Sequence, residues 1–159
     1  MIKYLTITLI IFCFSVTETS AKTSLPLPRF VSIKSTEANV RTGPGLRYKI
    51  KWVYKRKKMP LEVVAEFEQW RKVRDIQGDE GWIHRSQLTN KRGFLITGED
   101  QIMRRSSEKE SRPIAKLEQG VVGDLESCNF HYCKVRTGSY KGWVKRKNIW
   151  GVYPDEIID

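Results

Sequence analysis

Few side chains in this sequence of 159 residues could do covalent or metal chemistry. Its cysteines are Cys13, Cys128 and Cys133, and its histidines are His84 and His131. A nucleophilic cysteine needs a base within hydrogen-bond reach and a third group to orient that base. Cys128 and Cys133 stand together with His131 between them, and no second such cluster follows. A structural zinc site wants four ligands, commonly from two knuckles. Cys128, His131 and Cys133 fall one ligand short. With no paired nucleophile and base, the expectation is a protein that is not an enzyme, with no catalytic residues, no metal and no cofactor.

The compartment decides what the cysteine pair does. Lys3 precedes an apolar run from Tyr4 to Val16, and Thr19-Ser20-Ala21 supplies small residues for cleavage after Ala21. This layout predicts a secretory signal peptide over residues 1–21, too short to span a bilayer. No later segment is apolar enough to cross a membrane. The expected product is soluble, periplasmic or secreted, with no stable membrane span after cleavage. Cys13 lies in the leader, so two cysteines remain. An even count in a small exported domain favours a Cys128–Cys133 disulfide, worth about 2 kcal/mol in the chain-entropy treatment of so short a loop.

The formal net charge is +11. Residues 1–21 hold one Lys and one Glu, so the charge beyond them is the same. An exported cationic protein meets cell-wall carboxylates and phosphates or anionic head groups first, although charge alone sets attraction and not fold. The candidate binding residues are those in which aromatics and cations interleave. Tyr48, Ile50, Trp52 and Tyr54 fall on one face of an extended arm, Lys49 and Lys51 fall on the other, and Lys55-Arg56-Lys57-Lys58 follows. Tyr48, Trp52, Tyr54, Lys55, Arg56 and Lys57 form the candidate ligand-binding set. Sugar rings or extended peptides could lie on the rings while the cations meet carboxylates. The alternative is that the arm packs on the second module and its charges are solvated. Interleaved cations and rings also describe single-strand nucleic-acid binders. Export argues against that, and no nucleic acid is expected as a partner.

The elements that must position these residues come from a repeat. Trp70 to Ile83 (WRKVRDIQGDEGWI) and Tyr132 to Val144 (YCKVRTGSYKGWV) share one pattern: aromatic-x-Lys-Val-Arg, a turn with Gly, then Gly-Trp-Ile/Val. Two copies of one hairpin mean two copies of one small β module. Strands are expected over Phe30–Ile33, Ala38–Arg41, Leu61–Phe67 and Trp70–Asp75, and again from Gly81. Tyr48–Tyr54 reads as a half-buried strand or an irregular loop arm. Ser86–Leu88 reads as a single 3₁₀ turn. In the second copy Asp100–Arg105, Pro113–Leu117 and Val121–Glu126 take the corresponding places. Short strands with frequent turn signals and no long helical period indicate small barrels. Trp82 and Trp143 are expected in the two cores because each buries a large apolar area. The division is a leader over 1–21, an extended lead over 22–29, barrels over 30–92 and 93–153, and a polar tail over 154–159.

With these residues in hand, Asn39-Val40-Arg41-Thr42-Gly43-Pro44-Gly45, followed by Trp70-x-Lys-Val and Gly81-Trp82-Ile83, resembles the bacterial SH3 domain, a partly open barrel of five to six strands. Cys128-x4-Cys133-Lys134-Val135, Gly142-Trp143-Val144 and Ile149-Trp150-Gly151-Val152-Tyr153-Pro154 are similar to the second module of two-domain exported SH3-like proteins of alphaproteobacteria. Position 132 is Tyr where that family usually has Trp, the Asn129-Phe130-His131 turn lacks Gly, and the second module has no Gly-Pro-Gly loop. The resemblance implies an all-β fold of two tandem SH3-like barrels after a signal peptide. It also implies binding to cell-wall peptidoglycan or its peptides in the periplasm. Gripping another envelope protein is the alternative role.

Overall fold

The computed structural model describes residues 25–159. The expected signal peptide, with Cys13, lies outside the described residues. The first sheet takes strands β1 (Arg29–Ile33), β2 (Ala38–Arg41), β3 (Ile50–Tyr54), β4 (Pro60–Phe67), β5 (Trp70–Arg74), β6 (Glu80–His84) and β7 (Leu88–Thr89). The second takes β8 (Gly93–Ile96), β9 (Gln101–Arg104), β10 (Pro113–Leu117), β11 (Val122–Cys128), β12 (Tyr132–Thr137), β13 (Tyr140–Lys145) and β14 (Ile149–Trp150). Their spatial orders, β3-β2-β6-β5-β4-β1-β7 and β10-β9-β13-β12-β11-β8-β14, match element for element. The chain is all-β, two tandem SH3-like barrels of seven short strands each, more than the five or six expected. The additional strands are the two-residue pieces β7 and β14, which close onto β1 and β8 after a 3₁₀ turn.

Period-2 alternation explains the cores. Val31, Ile33, Ala38, Val40, Leu61, Val63, Val73 and Ile83 form the first. Phe94, Ile96, Met103, Leu117, Leu125, Val135 and Val144 dominate the second, and the Cys128–Cys133 disulfide packs among them. The cysteines face each other across β11 and β12.

The alternation also corrects one expectation. Trp82 and Trp143 lie outside the cores, half-buried on the outer face. Their neighbours Gly81 and Ile83, or Gly142 and Val144, are the inward residues. Gly81 has to be glycine because a Cβ there would run into Val40 Cγ1, and a Cβ at Gly142 would meet Arg104 O at 2.5 Å. The repeated Gly-Trp pair thus places backbone inward and indole outward.

Two strands, β1 and β8, are buried on both faces. Their second faces meet a joint between the barrels. Phe30 leaves the first core and packs against Trp150 (ring centroids 4.9 Å apart) and Tyr153 (4.7 Å). Tyr153 donates its hydroxyl to the buried Glu62 carboxylate at 2.9 Å. Arg92 lies over the Phe30 ring and makes a two-pronged pair with Glu156 at 2.5 and 2.9 Å.

Residues 154–159 are not a free tail. Ile158 exchanges both backbone hydrogen bonds with Cys128, at 2.7 and 3.1 Å. The buried Arg146 donates to the carbonyls of Asn129, Tyr153 and Glu156. One guanidinium so ties the disulfide hairpin to the end of the chain. The composition of the segment hid this, because its partners are backbone carbonyls and a single Ile.

Candidate functional site

The ring-bearing arm is the β2–β3 hairpin of the first barrel. Ala38 faces Tyr54, and Val40 faces Trp52, across the pair. Between the strands, Arg41 donates to the carbonyls of Leu46 and Tyr48, at 3.1 and 2.7 Å. That clamp bends the Thr42–Lys49 loop back on itself. The Tyr48 ring then lies on Gly43, where a Cβ would stand 2.5 Å from Tyr48 Cδ1. A side chain at that glycine would push the ring out of its seat.

Trp52 and Tyr54 meet edge to face at 6.0 Å. Both are half-buried and pack on the rim of the first core. Tyr54 donates its hydroxyl to Asp75 Oδ2 at 2.8 Å. Burial, and then that hydrogen bond, push its proton loss well above the ordinary tyrosine range. Asp75 also accepts from the backbone of Gln77 and Asp79, both at 3.0 Å, which shapes the turn into β6. Tyr54 is therefore fixed at its hydroxyl, and the ring pair it shares with Trp52 is held rigid. Cations stand beside the rings: Lys51 Nζ is 4.8 Å from the Trp52 ring centre, and the Arg47 guanidinium is 5.1 Å from that of Tyr48. Lys51 also donates to Glu80 O at 2.9 Å. Hydrogen bonds from Lys72, and then from Arg74, hold the Glu80 carboxyl below the usual carboxylate range.

The cationic half of the expected set does not stay with the rings. Lys55 makes a loose, exposed pair with Glu37 at 3.8 Å. Arg56 reaches the second barrel and donates to Gly120 O at 2.6 Å. Lys57 lines a cleft at the joint between the barrels, beside Lys58. The six residues thus occupy three places: Tyr48 on its loop, Trp52 with Tyr54 on the barrel face, and the cations along the chain toward the joint. The expected alternative, packing of the arm on the second module, is met by Arg56 and not by the rings.

The β2–β3 hairpin has a full counterpart in β9–β10, so the arm is repeated as backbone. Arg104 donates to Ser111 O at 2.6 Å as Arg41 does to Tyr48 O, and Arg105 N bonds Arg112 O as Thr42 N bonds Lys49 O. In this register Tyr48 corresponds to Ser111, Trp52 to Ala115 and Tyr54 to Leu117. The ring set exists once.

Sequence reasoning missed the loop clamps Arg41 and Arg104, the buried Arg146, and a groove of 720 Å³ in the second barrel. That groove runs between Phe130 at the disulfide hairpin tip and Lys145, Lys147 and Pro154. Each of the two loop arginines ends a strand and precedes a polar loop, a signal too common to single out. Among the described residues no group of three or more His, Cys, Asp or Glu is placed to hold a metal ion.

No curated protein matches the chain. Among solved structures it is similar to NlpC2 from Trichomonas vaginalis (10% identity, TM-score 0.36, covering 80% of this chain and 49% of that one). NlpC1 from Trichomonas vaginalis is similar at 10% identity and TM-score 0.36, with 82% and 48% covered. An NlpC/P60 family protein from Bacillus cereus ATCC 10987 is similar at 13% identity and TM-score 0.35, with 76% and 55% covered. The chain spans about half the length of these structures. The family model for the bacterial SH3 domain matches twice, over residues 34–90 and 97–151, which are the two barrels. The chain belongs to the bacterial SH3 domain family.

Proposed function

We propose that this is a non-enzymatic binding protein of the cell envelope, periplasmic or secreted, which holds peptidoglycan or its peptides on the ring face of its first barrel. The observation that carries this reading is the cation-flanked set Tyr48, Trp52 and Tyr54, present on one barrel and replaced by Ser111, Ala115 and Leu117 on the other. Matching strand order and register carry different faces, so the ring set is particular to the first barrel. Half-buried rings offer flat apolar area at little cost in side-chain entropy. Tyr54 is held by Asp75, so little ordering remains when a ligand arrives. Lys51 and Arg47 supply the charge that an acidic peptide or sugar acid needs. An enzymatic reading would require a base near a nucleophile. The cysteine sulfurs that might have served are bonded to each other.

The test is co-sedimentation of Trp52→Ala with purified sacculi, at low and at moderate salt. Loss of the interaction surviving moderate salt is expected, on the order of tenfold for one stacked ring. Charge attraction alone would fade with salt in wild type and variant alike. Unchanged, salt-resistant pelleting of a folded Trp52→Ala protein would sink this reading. Retention only in the presence of a second envelope protein would favour the scaffold role.

A further inference from the structure

The joint between the barrels holds a second feature, which the ring face does not involve. A cleft of 410 Å³ opens there, and its charged lining is Lys34, Lys57, Lys58, Lys91 and Arg92 against the single carboxylate of Asp124. Two of the five cations are engaged. Lys58 Nζ lies 2.7 Å from Asp124 Oδ2, and Arg92 is occupied by Glu156 and by Gly151 O. Lys34, Lys57 and Lys91 are exposed, and none has an ion-pair partner among the described residues.

These three come from three separate segments: the end of β1, the run after β3 and the connection between the barrels. Like charges brought to one concavity repel, and nothing in the fold of either barrel requires them there. The walls are also fixed. Lys58 adopts φ 68°, a left-handed conformation costly for a residue with a side chain. Its N–H is held by Ile33 O at 2.8 Å while its ammonium crosses to the second barrel. Arg56 pins the same segment to Gly120. Strain maintained at the wall of a cationic cleft is a signature of pre-organisation.

We infer that this inter-barrel cleft is a binding site for a multiply charged phosphate group, held by Lys34, Lys57 and Lys91. Lysine ammoniums bind phosphate as compact point charges, and three of them converging on one cleft match a compact anion of several charges better than a singly charged carboxylate. The one arginine of the cleft is already engaged. Phosphate of this kind reaches an envelope protein either as a soluble ester or as a lipid head group.

The experiment has two arms on the purified protein: titration with inorganic pyrophosphate, and co-sedimentation with vesicles of phosphatidylglycerol in phosphatidylcholine. Each arm compares the triple variant K34Q/K57Q/K91Q with R105Q/K109Q/R112Q, which removes the same charge from exposed sites elsewhere. The cleft triple is expected to weaken binding about tenfold while the control triple changes it less than twofold. A cleft-specific loss in the pyrophosphate arm assigns a soluble phosphate, and one confined to the vesicle arm assigns a head group. Thermal unfolding of both triples verifies folding, and Trp52→Ala is expected to leave both arms unchanged. Equal losses from the two triples in both arms, or no binding by wild type in either, overturns the site.

Discussion

Phe30→Ala tests whether the two barrels are one thermodynamic body. Phe30 is 5% exposed, yet it belongs to neither core cluster. Its ring spends its contacts on Trp150 and Tyr153, with Arg92 above it. Truncating a buried Phe costs about 3–5 kcal/mol, a large part of the roughly 5–15 kcal/mol that holds a protein of this kind. Almost all of that loss falls on the joint. For a chain of this length it corresponds to a fall in melting temperature on the order of 10 °C. The diagnostic readout is amide exchange followed along the chain. In wild type, Val63 and Val73 of the first barrel and Val135 and Val144 of the second should open with one free energy. In Phe30→Ala the two sets should separate, one barrel opening while the other stays protected. Val31→Ala is the control: its neighbouring side chain faces the first core, so it should weaken that barrel without removing the ring contact. If Phe30→Ala lowered every amide together, as a loss spread over one core would, the joint reasoning would be refuted.

Two further outcomes follow from the second barrel. Cys128→Ala with Cys133→Ala, or reduction, should cost about 2 kcal/mol from loop closure alone; exchange at the Cys128 and Ile158 amides, paired to each other, should rise first, and unchanged protection there would disprove the brace. Glu156 carries the acid dependence of the joint. The hydrogen bond from Arg92 leads in holding its carboxyl below its ordinary 4.5, against partial burial. A depressed folded value means stability present above the unfolded value and lost as pH falls through the folded one. Glu156→Gln should therefore be less stable than wild type near neutrality and flatter below about pH 4.5; parallel profiles for the two proteins would contradict it.

The duplication and the cysteine pair were legible because both are carried by local pattern. Aromatic-x-Lys-Val-Arg with a following Gly-Trp specifies a hairpin wherever it stands, and two cysteines with four residues between them can bridge only one tight turn. The facing of Trp82 and Trp143 was misread because composition says how apolar a residue is and not which side of the strand it takes. The neighbouring glycine carried that information, since only a glycine fits against Val40 or Arg104 O. The C-terminal segment was misread for a different reason. Arg146 acts on carbonyl oxygens from Asn129, Tyr153 and Glu156, which have no sequence signature. The scattering of Lys55, Arg56 and Lys57 follows from the turn that ends the arm, where Lys58 takes a left-handed φ and the chain reverses from β3 into β4.

The two barrels share some parts and differ in others. The shared parts are those that set backbone: the hairpin, the inward glycine before each Trp, and the arginine that clamps each loop. The parts that differ set surface. The first barrel keeps its rings on β3 and its loop, and the second replaces them with Ser111, Ala115 and Leu117 while gaining the disulfide and the Arg146 clamp. The second barrel meets Phe30 and Glu62 of the first through Trp150 and Tyr153. The ring contacts of the joint lie away from β3, whereas Arg56 and Lys58, just beyond β3, cross to the second barrel by a hydrogen bond and an ion pair. The cationic cleft likewise needs both barrels, because Lys34 and Lys57 come from the first, Asp124 from the second, and Lys91 from the connection between them.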